Sequence, residues 1–233
     1  MKKLFIASAL SAAFVSPAAL AQATNFEGFG LQLSTGYQHN KIKTSNPWKF
    51  NGQPTTPGGF ALGSTSDSKG EMPLNIGVGY TAALSERFTL GALVEYNPLS
   101  MKTGTTYTTF DGVVPPNPDD RIKGKLENQV SISLVPGYAF TDSTMGYARI
   151  GWINATAKLT PLTGEGFSKN TNGVLLGLGA RHLFTDSIYG FAEATYANYS
   201  GSTSSLSTEQ GNKISAKLTP ESYSFLIGVG VRF

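Results

Sequence analysis

The two histidines are the side chains whose type points most directly to catalysis, because an imidazole beside a hydroxyl group can activate it for acyl transfer. His39 precedes a segment that contains Asp67 and Ser68, whereas His182 has no serine two positions on. Both histidines fall on the apolar side of segments in which side chains alternate. We therefore expect neither to be catalytic, and the sequence predicts no enzyme.

Metal and cofactor chemistry finds no support in the sequence. The chain has no Cys and only two His, without the clustered spacing of His and carboxylates that metal sites use. Glycines recur as Gly-x-Gly pairs, but no helix pattern follows them, so a dinucleotide-binding turn is not indicated. We predict no metal and no cofactor.

Charged residues on the polar side of the alternating segments form the main candidate site. Five share this inward parity: Glu95, Glu127, Arg149, Arg181 and Glu193. An unpaired buried charge costs several kcal/mol, so these groups need partners. We predict an internal charge network in which Arg149, Arg181 and Glu193 meet. We also expect Glu95 to meet Lys125 or Glu127 across a hairpin.

The elements that must position these charges are β-strands, because apolar and polar residues alternate with a period of two. Eight such segments lie between turn residues. Their apolar rows begin at Phe29, Met72, Phe88, Val130, Ala148, Val174, Ala192 and Tyr223. A membrane-spanning helix needs about 20 apolar residues, and no apolar run after residue 23 is that long.

The links between these strands alternate in length. Short links follow the second, fourth and sixth strands, near residues 82–86, 141–144 and 185–187. Long links follow the others, near residues 39–70, 98–123, 157–171 and 200–216. An even strand count with links sorted in this way is typical of an all-β, up-and-down antiparallel transmembrane barrel with short periplasmic turns and long extracellular loops. A ten-stranded barrel is the alternative, if residues 40–70 contain a hairpin.

The two ends of the chain fit export to a membrane. Lys2 and Lys3 precede an uncharged apolar run and small residues, which predicts a signal peptide over residues 1–23 and a barrel domain over 24–233. Cleavage is expected after Ala23, with Ala21 as the alternative. The last strand presents one apolar row, which consists of Tyr223, Phe225, Ile227, Val229, Val231 and Phe233.

With these features the chain resembles the small eight-stranded outer-membrane proteins of the OmpA-barrel and OmpX-like type, over residues 24–233. The resemblance implies a monomer in the outer membrane of a Gram-negative bacterium, in contact with outer-membrane lipid and lipopolysaccharide. It also implies that the barrel assembly machinery reads the terminal row, which ends at Phe233, as an insertion signal.

Function is predicted less narrowly than fold. Eight strands enclose a lumen just wide enough for side chains, which argues against a wide pore. The favoured hypothesis is a structural and surface-interaction role: membrane integrity, adhesion or contact with a host or cell-surface ligand through the loops. The alternatives are a narrow channel or carrier for small or apolar solutes, and a lipid A-modifying enzyme.

Two further classes fit the sequence poorly. Without Lys2 and Lys3 the net charge falls from +3 to about +1, which leaves no basic footprint for nucleic acid. A soluble lipocalin-like carrier also has eight strands, but it would leave the terminal Phe233 and the sorting of the links unexplained.

Overall fold

A computed structural model describes residues 22–44, 49–54, 59, 61–111, 113–114, 121–161, 167–207 and 213–233. Within these ranges one short 3-10 helix, Ala23–Phe26, precedes the strands. The strands are β1 (Gly28–Thr44), β2 (Lys49–Phe50), β3 (Leu62–Ser66), β4 (Lys69–Glu71), β5 (Leu74–Ala83), β6 (Phe88–Asn97), β7 (Met101–Phe110), β8 (Arg121–Ala139), β9 (Thr144–Pro161), β10 (Phe167–Leu183), β11 (Ile188–Tyr199), β12 (Ser202–Ser207) and β13 (Lys213–Arg232). The described segments include no helix with the length and hydropathy of a membrane span.

Eight of these strands close into an antiparallel barrel. Their order around the ring is β1, β5, β6, β8, β9, β10, β11 and β13, and β13 pairs back to β1 from Gly30↔Arg232 to Thr44↔Leu218. The turns from β5 to β6, from β8 to β9 and from β10 to β11 are short. The predicted eight-stranded, up-and-down barrel is therefore confirmed. We call the end with these turns the short-turn end and the opposite end the long-link end.

The alternative with ten strands is wrong. The described residues between 40 and 70 do form strands, but β2 pairs with β13, β3 with β7 and β4 with β1, all at the long-link end. None of them enters the ring, which β1 and β13 close directly.

The sheet extends further at the long-link end than the periodicity predicts. β8 begins at Arg121 and β13 at Lys213, while β1 continues to Thr44 and β9 to Pro161. In addition, β7 pairs with β8 and β12 pairs with β13. The outward-facing residues of these parts are polar, for example Lys41, Lys125 and Lys158, so these parts lack the outward apolar row that marks the membrane-crossing strands in sequence. Much of what the sequence predicts as loop is sheet.

The outer face of the barrel is apolar. Ile132, Leu178 and Phe225 are 53%, 69% and 70% exposed, and a water-soluble protein rarely exposes such a large continuous apolar surface. Aromatic rings pair at both ends. The centroids of Phe88 and Tyr138 lie 5.1 Å apart at the short-turn end. Rows of aromatic residues at two levels are typical of the two membrane interfaces.

Side chains fill the lumen in layers. A buried apolar cluster at the short-turn end contains Phe26, Leu93, Val135, Ala139, Met145 and Tyr147. A second cluster toward the long-link end contains Met101, Leu126, Ile153, Ala155, Leu175, Ala197 and Tyr199. A polar and charged layer separates them. The lumen is therefore a packed core, as expected for eight strands.

The 3-10 helix closes the short-turn end. The Phe26 side chain is 1% exposed and belongs to the buried apolar cluster at the short-turn end. The backbone N–H of Ala23 donates to the carbonyl oxygen of Glu86 at 2.9 Å, and Arg232 Nη1 donates to the carbonyl oxygen of Glu27 at 2.7 Å. These bonds hold the segment beneath the barrel.

Lumen-facing glycines leave room for aromatic rings. A Cβ atom at Gly230 would lie 2.3 Å from Cζ of Tyr189, and one at Gly179 would lie 2.5 Å from Cζ of Tyr147. Real Cβ contacts are not that short, so these rings occupy the space that a side chain on the facing strand would need. The Gly-x-Gly pairs of the sequence serve packing.

Replacing Gly230 with Ala should therefore overpack the lumen against Tyr189. We expect the free energy of unfolding, measured by urea titration in lipid vesicles, to fall by about 1–3 kcal/mol. Gly177→Ala is the matched control, because its Cβ would meet its nearest atoms at 3.2 and 3.3 Å. An equal loss in both variants would contradict the steric explanation.

Candidate functional site

Arg149 lies at the centre of the lumen and is 2% exposed. Its Nη1 atom donates to Glu193 Oε1 at 2.9 Å, and its Nη2 atom forms an ion pair with Glu95. Nε donates to Ser133 Oγ at 3.0 Å, and Nη2 also donates to Ser131 Oγ at 2.9 Å. The guanidinium group thus has four partners in a region closed to solvent, and we call Glu95, Arg149 and Glu193 the lumen triad.

Strand order explains this geometry. Arg149 is on β9, while Glu95 on β6 and Glu193 on β11 each lie two strands away, on opposite sides. The long arginine side chain therefore reaches across the lumen to both carboxylates. A charge of this kind on the lipid face near the midplane would cost about 2–4 kcal/mol, which accounts for its inward position.

Further polar side chains form hydrogen bonds that hold the Glu95 carboxylate in place. Gln32 Nε2 donates to Glu95 Oε1 at 3.0 Å, and the Tyr189 hydroxyl donates to Gln32 Oε1 at 3.2 Å. Glu95 thus has a partner other than Arg149.

A second polar network lies between the lumen triad and the long-link end. Gln38 Nε2 donates to Asn40 Oδ1 at 2.8 Å, and Ser222 Oγ donates to the same oxygen at 2.7 Å. The Tyr199 hydroxyl donates to Gln129 Oε1 at 3.2 Å. A cavity of about 50 Å³ lies between this network and Arg149. That volume holds a few water molecules at most.

Arg181, which the sequence predicts to join Arg149 and Glu193, does not contact either of them. Its guanidinium carbon lies 4.3 Å from the ring centroid of Tyr189 and 5.9 Å from that of Tyr147. Register explains the correction, because Arg149 is opposite Gly177, two inward positions along β10 from Arg181. Side-chain parity identifies the face of the sheet but not the level within the lumen.

Glu127, which parity places in the lumen, lies on the outer face. Asn128 has a positive φ of 51°, and the register between β8 and β9 shifts between Glu127 and Val130. Such a β-bulge adds one residue, which reverses the facing of every residue beyond it. Glu127 therefore forms ion pairs with Lys125 and Lys158, both at 2.7 Å. The expected contact of Glu95 with Lys125 or Glu127 is absent, because Glu95 faces the lumen.

Ser131 and Ser133 also bind Arg149, although the sequence did not lead us to predict them as its partners. Both share the inward parity of Gln129 on β8. That parity was a usable signal, since a guanidinium group has five N–H donors and two carboxylates cannot satisfy them all.

The terminal row faces outward along β13. Its residues Tyr223, Phe225, Ile227, Val229, Val231 and Phe233 are 37% to 81% exposed. The backbone N–H of Phe233 donates to the carbonyl oxygen of Phe29 at 2.9 Å, so the row extends to the last residue. Its use as an insertion signal stays a prediction. Of the two predicted cleavage positions, Ala21 lies outside the described residues and Ala23 lies in the 3-10 helix.

The two histidines lie apart from this site. His182 Nδ1 is 2.9 Å from Thr144 Oγ1 on the outer face, and the His39 ring is 6.5 Å from the Tyr37 ring. In the segments that the structure describes, no carboxylate is bonded to either imidazole. The same segments contain no group of three or more His, Asp or Glu arranged to hold a metal ion.

Comparison with known proteins relates this fold to a family. A family model for the outer membrane protein beta-barrel domain matches residues 5–233. No curated protein sequence matches the chain. Among solved structures, the outer membrane protein OprG from Pseudomonas aeruginosa is 15% identical, with 89% of this chain and 97% of that chain covered and a TM-score of 0.50.

Two other solved structures are also similar to the chain. The outer membrane protease OmpT from Escherichia coli is 11% identical, covers 88% of this chain and 97% of its own, and has a TM-score of 0.50. Ail, the attachment invasion locus protein of Yersinia pestis, was solved with the heparin analogue sucrose octasulfate. It is 14% identical, with 89% and 99% covered and a TM-score of 0.44. At these identities the likeness is one of fold.

Replacing Arg149 with Met should leave Glu95 and Glu193 buried without a cation. We expect the free energy of unfolding in lipid vesicles to fall by about 3–5 kcal/mol. The triple variant R149M/E95Q/E193Q removes the uncompensated charges and should regain most of this loss. Arg181→Met, which removes only cation–π contacts, should cost less. Equal stability of R149M and the triple variant would show that the ion pairs do not hold the layer together.

The Glu127 carboxylate should titrate well below an ordinary glutamate. Hydrogen bonds from Lys125 and Lys158 lower its pKa from 4.5 to about 2. The stabilisation from these bonds is therefore present above about pH 4.5 and is lost as the pH falls through about 2. Carboxyl ¹³C NMR of the protein in micelles measures this pKa, and K125Q/K158Q should return it toward 4.5. A wild-type pKa near 4.5 would contradict the ion pairs.

Proposed function

Because this chain belongs to the outer membrane protein beta-barrel domain family, we propose that it is a closed outer-membrane barrel with a structural and surface-interaction role. Members of this family reside in the outer membrane of Gram-negative bacteria. The finer role rests on one observation: three successive layers of side chains block the lumen. A barrel whose lumen is filled with packed side chains stabilises the membrane and presents its outer end to the surroundings.

The long-link end supports contact with a surface ligand. The barrel wall is extended beyond the aromatic row by five further strands, β2, β3, β4, β7 and β12. This end of the barrel therefore consists of additional β-sheet. Val113 and Val114 are 68% and 43% exposed between β7 and β8. Exposed apolar side chains at the sheet-extended end of the barrel favour binding to a host or cell-surface partner.

Export and insertion complete the proposal. Cleavage after Ala21 would retain the hydrogen bond from Ala23 to Glu86, whereas cleavage after Ala23 would remove it. The packing beneath the barrel therefore favours the earlier of the two positions. The exposed terminal row that ends at Phe233 is suited to recognition by the barrel assembly machinery, and the closed ring needs no second copy.

A narrow ion path is the second candidate. The observation that favours it is the polar cavity of about 50 Å³ beside Gln38, Glu95 and Arg149. A path would still require the lumen triad to separate and Phe26 to leave the short-turn end. A carrier for apolar solutes would have to displace the packed Ile153, Leu175 and Phe191. A lipid A-modifying activity has no supporting geometry in the described segments.

Conductance and surface binding separate these roles. In planar bilayers we expect no current steps from the wild type, because the layers are closed, and steps from F26A/R149A, which opens two of them. Deletion of the gene should raise sensitivity to detergent. In a strain that lacks the gene, expression of V113S/V114S should restore detergent resistance. Adhesion of this strain to host cells should be several-fold weaker than with the wild-type protein.

Three outcomes would contradict the proposal. Steady conductance of the wild type would favour the narrow channel, and an altered lipid A mass profile on expression would favour the enzyme. Unchanged detergent sensitivity together with unchanged adhesion would remove the structural and surface-interaction role.

A further inference from the structure

A second cavity lies in the lumen at the short-turn end and has a volume of about 30 Å³. It is lined by Gln32, which binds Glu95, and by Phe26 of the 3-10 helix, so it lies between the lumen triad and that helix. Arg181 on β10 and Arg232 on β13 also line it, and none of the described residues around it is an acid. We call this space the arginine cavity.

Neither arginine uses its Nε donor. Both Nε atoms are buried and have no hydrogen-bond partner among the residues that the structure describes. Arg232 uses its other two nitrogens, since Nη1 donates to the carbonyl oxygen of Glu27 at 2.7 Å and Nη2 donates to that of Asp186. Arg181 packs against the ring of Tyr189. A buried N–H group without an acceptor is costly, so both donors favour an electron-rich ligand in the cavity.

The protein leaves the charge of this pair uncompensated. Across the described part of the chain, no carboxylate forms an ion pair with either arginine. Glu27 is close in sequence to the cavity-lining residues, but its Oε2 atom accepts from the backbone N–H of Ala83 at 3.4 Å.

Charge balance indicates the sign of the ligand. The lumen triad and the two arginines of the cavity together contain three cations and two carboxylates. One positive charge is therefore left over in a mostly buried region, where an uncompensated charge is costly. A single monovalent anion would neutralise it.

Glycines keep space open across the barrel from Arg181. Strands β5 and β6 lie opposite β10 in the ring, and the cavity wall on this side and on β1 contains Gly28, Gly30, Gly79 and Gly91. A Cβ atom at Gly91 would lie 3.2 Å from Thr81 Oγ1, and one at Gly30 would lie 3.1 Å from the Tyr189 hydroxyl oxygen. Larger side chains at these positions would occupy the space in front of the guanidinium groups.

The volume of the cavity narrows the class of anion. A space of 30 Å³ holds about two water-sized spheres. A phosphate or a carboxylate-bearing solute has several non-hydrogen atoms and is too large. A halide ion is a single atom, and it accepts hydrogen bonds from several N–H groups at once.

We propose that the arginine cavity binds one chloride ion, with the Nε atoms of Arg181 and Arg232 as hydrogen-bond donors. The ion connects β10 with β13 and, through the bond from Arg232 to Glu27, with the 3-10 helix that closes the short-turn end. Both arginines are only partly buried, so chloride reaches the cavity from that end. The inference depends on the barrel fold and not on adhesion.

Chloride titration of the folded protein in an uncharged detergent tests this site. Sodium chloride replaces sodium gluconate at constant ionic strength, so that general screening stays the same. We expect saturable broadening of the ³⁵Cl NMR line and a rise of about 3–6 °C in the midpoint of thermal unfolding. In crystals grown in sodium bromide, the anomalous signal of bromide should lie beside Arg181 and Arg232.

Two variants address the site in different ways. Arg181→Met removes one donor and should weaken chloride binding at least about tenfold. Its matched control is Arg87→Met, which removes one positive charge at the same end, because Arg87 donates to the Tyr138 hydroxyl and does not line the cavity. R87M should bind chloride like the wild type.

Gly91→Ala narrows the cavity but keeps both arginines, and it should weaken chloride binding several-fold. Its control is Gly177→Ala, whose Cβ would have similarly close neighbours, at 3.2 and 3.3 Å, outside the arginine cavity. If R181M does not form a heat-modifiable barrel, the comparison of G91A with G177A decides.

Three results would overturn the assignment. The first is a wild type without saturable broadening and with the same unfolding midpoint in chloride and gluconate, which would mean that water fills the cavity. The second is an equal loss of affinity in R181M and R87M, which would reflect net charge alone. The third is an undiminished affinity in folded G91A.

Discussion

Closure of the sheet is the constraint on which the rest of this structure depends. Inside a bilayer no water can pair with a free strand edge, so each backbone N–H and C=O of a membrane-crossing sheet needs a partner within the protein. The pairing of β1 with β13 provides it. Closing only eight strands gives a narrow lumen. The width of this lumen determines which side chains fit inside it, which positions must be glycine and which charged side chains must form ion pairs.

The lumen shows these consequences in order. The lumen-facing positions 179 and 230 are occupied by glycine because the rings of Tyr147 and Tyr189 fill the space that a Cβ atom would need. Arg149 can be buried because two carboxylates and two serines share its donors. Such a buried ion pair adds little net stability by itself, yet removing one partner is costly. The charged layer therefore specifies one arrangement of the strands more than it strengthens the barrel.

Period-two alternation predicted the ring of eight strands, because one face of each strand must be apolar along the whole membrane-crossing part. The same parity placed Glu95, Arg149 and Glu193 inside. It failed for Glu127, because a single inserted residue at Asn128 reverses facing and leaves no mark in local composition. It also failed to set Arg181 apart from Arg149, since the level within the lumen depends on register between strands. The strands of the long-link end were missed because their outward-facing residues are polar, so the outward apolar row that predicted the membrane-crossing strands is absent there.

The pairing of β1 with β13 also has a consequence for how the barrel is made. Gly30 and Arg232 are about 200 residues apart in the chain, so the contact that closes the wall is among the most distant in sequence. Bringing such remote segments together is slow. Until they meet, the apolar rows and two bare strand edges are open to aggregation. A chain that lacks β13 would therefore not be a slightly smaller barrel but an open, adhesive sheet, and the protein must be kept from folding in water until its last strand is available.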